Sequence, residues 1–280
     1  MKNLIILSVI VLSSAVQAAC SGNERVFETL DPVDQSAWAM TSKEYVPSRA
    51  GAPVVFILPP IVGETLLDRR LAARFCKNGM AAYILHATKT VSAEREATDL
   101  AIHDESYIRA HGAVKAVIAE LEKQGGFSGR YGILGMSLGG MLSAYVAGAE
   151  PKIGASVIVA GAGNAAGVLA NSDQELVVRQ RNLRLSRLGF VDDTSYESAL
   201  RAAIFHDPLS VAGNIRAGSM YMFIASKDAT VPTRYQRELR AAVAEPLVFV
   251  MNASHTAGLI KAGTIHAGKI TNFLSRRLRD

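Results

Sequence analysis

The sequence predicts an α/β fold: a mainly parallel, doubly wound sheet with helices on both faces. Short apolar runs alternate along the chain with longer amphipathic ones, the order that a strand–helix–strand sheet requires. The apolar runs are continuous rather than alternating, as in strands covered on both faces. At 280 residues and 49% hydrophobic, the chain is long enough for one such domain with a large core.

Taken in order, Met1-Lys2-Asn3 supplies a positive charge, Leu4 to Leu12 is almost continuously apolar, and Val16-Gln17-Ala18 ends on small residues. This is the pattern of a secretory signal over 1–18 with cleavage after Ala18; the apolar run is too short to span a bilayer. The expected product is exported, periplasmic or secreted, with 19–280 as one domain. A lipoprotein anchored at Cys20 is the alternative, which Ala18 and Ala19 suit but Gln17 does not, since a Leu-like residue is usual there. Export would expose Cys20 and Cys76 to an oxidising compartment, where a disulfide can form. Cys20 at a terminus and Cys76 in a helical stretch point instead to an ordinary buried thiol at Cys76.

Arg25 to Val46 is irregular enough to add a small antiparallel edge. Strands are expected at Ala52 to Leu58, Ala81 to His86, Tyr131 to Leu134, Ala155 to Ala160, Met220 to Ala225 and Leu247 to Met251. Helices are expected at Glu64 to Asn78, Glu105 to Gln124, Leu138 to Ala149, near Thr233 to Ala244, and from His255 to Leu278. Between the strands at 155–160 and 220–225 the chain is much longer than one crossover needs, so a helical lid is expected at about 163–210. Within it Ser172 as N-cap and Gly189 as terminator frame a helix carrying Arg179, Arg181, Arg184 and Arg187. A solvated basic face is the plain reading of those arginines; contact with a membrane surface or an acidic substrate is the other.

Composition narrows the functional classes. The formal charge of +5 is spread along the chain and carries no nucleic-acid signature. Two cysteines make no disulfide scaffold, and no Cys/His spacing suits zinc.

Gly135-Met136-Ser137-Leu138-Gly139 matches G-x-S-x-G. With 22 Ser and 23 Gly in the chain, chance alone gives roughly 0.15 such matches, so the setting must carry the weight. A buried strand ends at Leu134 and a small-residue helix starts after Ser137, the strand–turn–helix context in which this turn presents a serine nucleophile. The glycines allow close backbone approach, and the Leu138 N–H lies where a developing oxyanion would sit. A helix-capping serine beside packing glycines is the plain alternative.

A serine nucleophile needs a base, and the base an orienting acid. Of six histidines, only His86 and His255 closely follow buried strands. His255 follows the last one, whereas His86 precedes Ser137 and suits a strand-end role. Asp228, four residues before Pro232, follows the penultimate strand, so its loop would lie beside that of His255. Asp207 before Pro208 suits a cap or turn, and Asp192 and Asp193 fall in the expected lid. For a second oxyanion donor, Pro59 and Pro60 have no N–H, leaving Ile61 first and Val62 as the fallback.

Together Gly135-Met136-Ser137-Leu138-Gly139, Asp228 in a D-x-x-V-P loop and His255 resemble the α/β-hydrolase family. Asp207-Pro208-Leu209 is similar to its single-domain serine esterases and dienelactone-hydrolase-like members. The likeness runs from about Pro53 to Leu274. It departs from the many members with His-Gly where this chain has Pro59-Pro60. The resemblance implies hydrolysis of an ester, thioester, amide or other acyl group with no metal and no organic cofactor, and does not fix the substrate. With the signal segment, the expectation is an exported serine hydrolase acting on a small-molecule acyl ester through an acyl-enzyme. A peptidase or amidase, or a catalytically silent binding protein on the same scaffold, are the alternatives.

Overall fold

A computed structural model describes residues 20–279; the signal segment expected over 1–18 lies outside them. The chain opens with an antiparallel hairpin, β1 (Asn23–Leu30) and β2 (Ala37–Tyr45), the edge expected from the irregular pattern there. Then follow β3 (Ala52–Leu58), α1 (Leu66–Lys77), β4 (Ala81–Leu85), α2 (Ala93–Thr98), α3 (Ile102–Gln124), β5 (Phe127–Met136), α4 (Leu138–Ala149) and β6 (Ile153–Val159). The segment expected as a lid folds into α5 (Ala165–Asn171), α6 (Glu175–Leu188), α7 (Asp193–Ala203) and α8 (Pro208–Val211). The chain closes with β7 (Met220–Ala225), α9 (Thr233–Ala242), β8 (Leu247–Met251), α10 (His255–Gly263) and α11 (Ala267–Arg277).

Among the described residues the sheet has eight strands in the order β1-β2-β4-β3-β5-β6-β7-β8. All pairings from β4 to β8 are parallel. The order reverses around β3: the chain steps out to β4, then returns past β3 to β5. The crevice at the carboxyl ends of β3 and β5 is therefore the switch point where open sheets of this kind hold ligands. Every residue of β3 is buried. Val54, Phe56 and Leu58 join the core with Tyr107, Val114 and Val117 of α3. Val55 and Ile57 face Leu71 and Phe75 of α1 and Leu274 of α11 on the other side. Each such side chain contributes about 1.5–3 kcal/mol by leaving water, which explains why the run carries no polar alternation.

Three elements differ from expectation. The closing helix breaks into α10 and α11 at Gly263-Thr264-Ile265-His266, where a glycine and two β-branched residues weaken the helix. Ser172 caps the end of α5 rather than the start of α6, which Gln174 caps with its own side chain. Cys20 and Cys76 form a disulfide with their Cα atoms 5.5 Å apart, so the expectation of a free buried thiol is corrected. The hairpin holds Cys20 against the body of the fold, where its N–H donates to the Val46 carbonyl, bringing it to α1. In this form its sulfur is committed to the bridge and is not available for the lipid attachment considered above.

The arginines of α6 also need correction as a single basic face. Arg179 and Arg187 are exposed, but Arg184 is fully buried. Arg181 is half-buried and donates to the carbonyls of Ala170 and Ser172. Arg181 thus holds the insertion together internally, and Arg184 ties it to the backbone carbonyls of Glu96 and Asp99 ahead of α3.

Candidate active site

The site is assembled from three loops at the carboxyl ends of strands. Ser137 stands alone between β5 and α4 with φ +56° and ψ −123°, a conformation that costs a non-glycine residue of order 1–3 kcal/mol. The fold holds it there: its N–H donates to the Val159 carbonyl of β6 at 2.9 Å and its carbonyl accepts from Met141. A Cβ on Gly135 would collide with the Gly139 carbonyl, and one on Gly139 with the Leu58 carbonyl at the end of β3. Only glycine lets strand, turn and helix approach so closely. The Leu138 N–H opens α4 and has no acceptor within the helix.

Asp228 follows β7, and its loop is tied to the neighbouring one by Ser226 N–H to the Met251 carbonyl and Lys227 N–H to the Ala253 carbonyl, 2.9 and 3.0 Å. The buried carboxylate accepts from Val231 N–H at 2.9 Å through Oδ1. Its Oδ2 accepts from Gln236 Nε2 at 2.9 Å and lies 2.7 Å from His255 Nδ1. Nδ1 therefore carries a proton toward the carboxylate, and Nε2 is left to accept. It lies 2.9 Å from Ser137 Oγ. Hydroxyl, imidazole and carboxylate, expected from three separate segments, thus form one hydrogen-bonded chain able to draw a proton from the serine.

Gln236 is a participant that sequence reasoning missed. Besides Asp228, its amide donates to the Val231 carbonyl at 2.7 Å and accepts from Ala225 N–H at 3.1 Å. The one available signal was a polar residue next to Tyr235 and three before Leu239 on the buried face of α9. His86, as expected, sits at a strand end, 3.2 Å from Glu64 Oε2. Asp207 caps α8 through Leu209 N–H and also accepts from Asn164 N–H, and Asp192 caps α7.

A cavity of about 110 Å³ opens at Ser137, lined also by Ile61 and Leu138 and floored by Met141 and Val168. Ile61 lines it and is 43% exposed, beside Val62 at 69%. Gln174, Val177 and Gln180 of the α6 region line it together with His103, Ser106 and Tyr107 of α3. Among the described residues no three His, Cys, Asp or Glu side chains converge on a metal position.

His103 was not singled out by the sequence. Arg184 Nη1 lies 2.5 Å from its Nε2, and burial, followed by that guanidinium, pushes the imidazole down to about 3. The folded protein thus refuses a proton that an unfolded histidine accepts near the usual 6.5, so stability is fully present above that pH and declines as pH falls toward 3. Melting curves of wild type and His103→Gln between pH 7 and 4 should show the wild type losing ground as acid is added. A pH-independent difference would contradict it.

The sheet order, the serine turn and the Asp-then-His placement define the α/β-hydrolase fold. No protein-family model and no curated protein matches the sequence. Among solved structures the chain is similar to an acetyl xylan esterase from Paenibacillus sp. R4, with 14% identity, TM-score 0.69, and 91% of this chain and 89% of that one covered. Est1E from Butyrivibrio proteoclasticus superposes with TM-score 0.65 at 13% identity, over 93% of this chain and all of the other. An acylaminoacyl peptidase from Pyrococcus horikoshii gives TM-score 0.67 at 14% identity over 92% of this chain, but only 42% of that one.

Proposed function

We propose that the protein is an exported serine hydrolase that cleaves short acyl esters. The observation that carries this is the chain from Ser137 Oγ through His255 to Asp228, with links of 2.9 and 2.7 Å. Ser137 Oγ attacks the acyl carbonyl and gives its proton to His255 Nε2. Asp228 stabilises the imidazolium, and the N–H groups of Leu138 and Ile61 receive the oxyanion. The imidazolium protonates the leaving alcohol as the ester bond breaks, leaving an acyl-serine. Water, deprotonated by His255, then releases the acid and restores the hydroxyl. The Cys20–Cys76 bridge supports export, since such bonds persist in oxidising compartments.

The space beside Ser137, about 110 Å³ before its lining passes into the groove at Gln180 and Leu183, favours acyl groups of a few carbons. A series of p-nitrophenyl esters from acetate to dodecanoate should peak in kcat/KM at six carbons or fewer and fall at least about tenfold by dodecanoate. A maximum at ten or twelve carbons would overturn the short-chain reading. Amide hydrolysis is the second reading, drawn from the likeness to the acylaminoacyl peptidase. Faster turnover of an N-acyl aminoacyl anilide than of every ester would favour it.

A further inference from the structure

Arg184 occupies an unusual position. Its guanidinium is completely buried, yet among the described residues no carboxylate pairs with it. Its partners are the Glu96 carbonyl at 2.7 and 3.0 Å, the Asp99 carbonyl at 3.4 Å, the Tyr196 hydroxyl at 3.2 Å and His103 Nε2. The nearby acids are engaged elsewhere: Asp99 with Arg95, and Glu96 with Gln180. A buried cation held only by neutral acceptors is costly, so the arrangement calls for a return.

That return lies in the imidazole. A guanidinium only donates, so the His103 nitrogen facing it must accept, and the ring's single proton must sit on the other nitrogen, Nδ1. No acceptor among the described residues takes that proton. The same ring lines the cavity at Ser137 and the groove that continues past Gln180 and Leu183. Its polar neighbours in that lining are engaged within the protein: the Ser106 hydroxyl donates to the Ile102 carbonyl, Gln174 Oε1 accepts from Val177 N–H, and Gln180 donates to Glu96. His103 Nδ1–H thus stands as a donor among largely apolar walls.

We infer that His103 Nδ1–H, fixed and polarised by Arg184, is a substrate-binding donor that selects acyl groups carrying a second oxygen acceptor, such as a keto or carboxylate group. This deepens the hydrolase reading and rests on it for the reaction; the donor itself does not. His103 binds the substrate, and Arg184 is a positioning residue that acts through it. A neutral donor that meets a keto acceptor is worth up to about tenfold in selectivity, and more when the acceptor is a carboxylate.

The test pairs p-nitrophenyl 4-oxopentanoate with p-nitrophenyl pentanoate, equal in chain length and different by one oxygen, alongside mono-p-nitrophenyl glutarate as the anionic case. In wild type the oxo ester should exceed the plain ester in kcat/KM by at least about fivefold. His103→Leu should bring the ratio close to one, and His103→Gln, which keeps an N–H donor, should restore part of it. A preference that survives in the leucine variant, or a wild-type ratio near one for both oxygenated esters, would overturn the inference. A second readout needs no turnover. In Ser137→Ala, nitrogen-detected NMR of the histidine rings should show His103 protonated at Nδ1 and shifted by methyl 4-oxopentanoate but not by methyl pentanoate. Arg184→Gln should release the tautomer. A proton on Nε2 in the unsubstituted ring would overturn the inference by itself. The shift together with no ester hydrolysis in wild type would leave the donor standing and refute the hydrolase reading alone.

Discussion

Ser137→Ala is expected to reduce ester hydrolysis by about 10⁴-fold or more and to abolish covalent labelling by a fluorophosphonate probe. The size of the effect follows from the step that is lost: without Oγ no acyl-serine can form, and only oxyanion binding and substrate positioning remain. Alanine occupies φ +56° no more and no less easily than serine, so the melting temperature should hardly move. Activity and stability are therefore separable in this one variant. Labelling that persists in the alanine protein would place the nucleophile elsewhere.

Asp228→Asn is expected to lower kcat by about 10³- to 10⁴-fold with KM little changed. The carboxylate is acceptor-only and surrounded by donors: Val231 N–H, Gln236 Nε2 and His255 Nδ1 at 2.9, 2.9 and 2.7 Å. An amide can satisfy the Val231 N–H with its oxygen, but its NH₂ group then confronts both Gln236 and the imidazole. His255 can relieve the conflict by moving its proton to Nε2, where it can no longer receive one from Ser137. The loss thus comes from the wrong tautomer and not from lost charge alone. Gln236→Leu should behave as a milder version, lowering kcat roughly tenfold while leaving the imidazole tautomer intact. If Asp228→Asn kept more than a tenth of wild-type turnover, the carboxylate would not be orienting the base.

The sheet was legible because its central strands are buried on both faces: Ala52–Leu58 and Met220–Ala225 are bounded in the structure as the apolar runs bound them in the sequence. Leu247–Met251 keeps its predicted bounds although, as the edge strand, it leaves Leu247 and Val250 exposed. Ser137, Asp228 and His255 were legible for a related reason. Each follows such a strand directly, and neighbouring parallel strands must bring their carboxyl-end loops together. What escaped was set by partners distant in the chain. Nothing near His103 announces Arg184, 81 residues on, and four arginines in one helix look alike until packing turns one of them inward. Gln236 reads as an ordinary helical residue unless the Asp228 loop is known to lie beneath it. The two cysteines looked unmatched because a terminal residue has no position until the hairpin docks.

The bond between those cysteines joins points 56 residues apart; by the chain-entropy account, closing a loop of this size limits the disordered polypeptide by about 4 kcal/mol. The bridged pair lies just ahead of the edge hairpin and in α1, outside the three loops that carry the serine relay. Two preparations, one matured in an oxidising environment and one recovered from a reducing cytosol, should therefore turn over substrate at matching rates when fresh. They should part company on the shelf and in the heat, where the unbridged form wears out first.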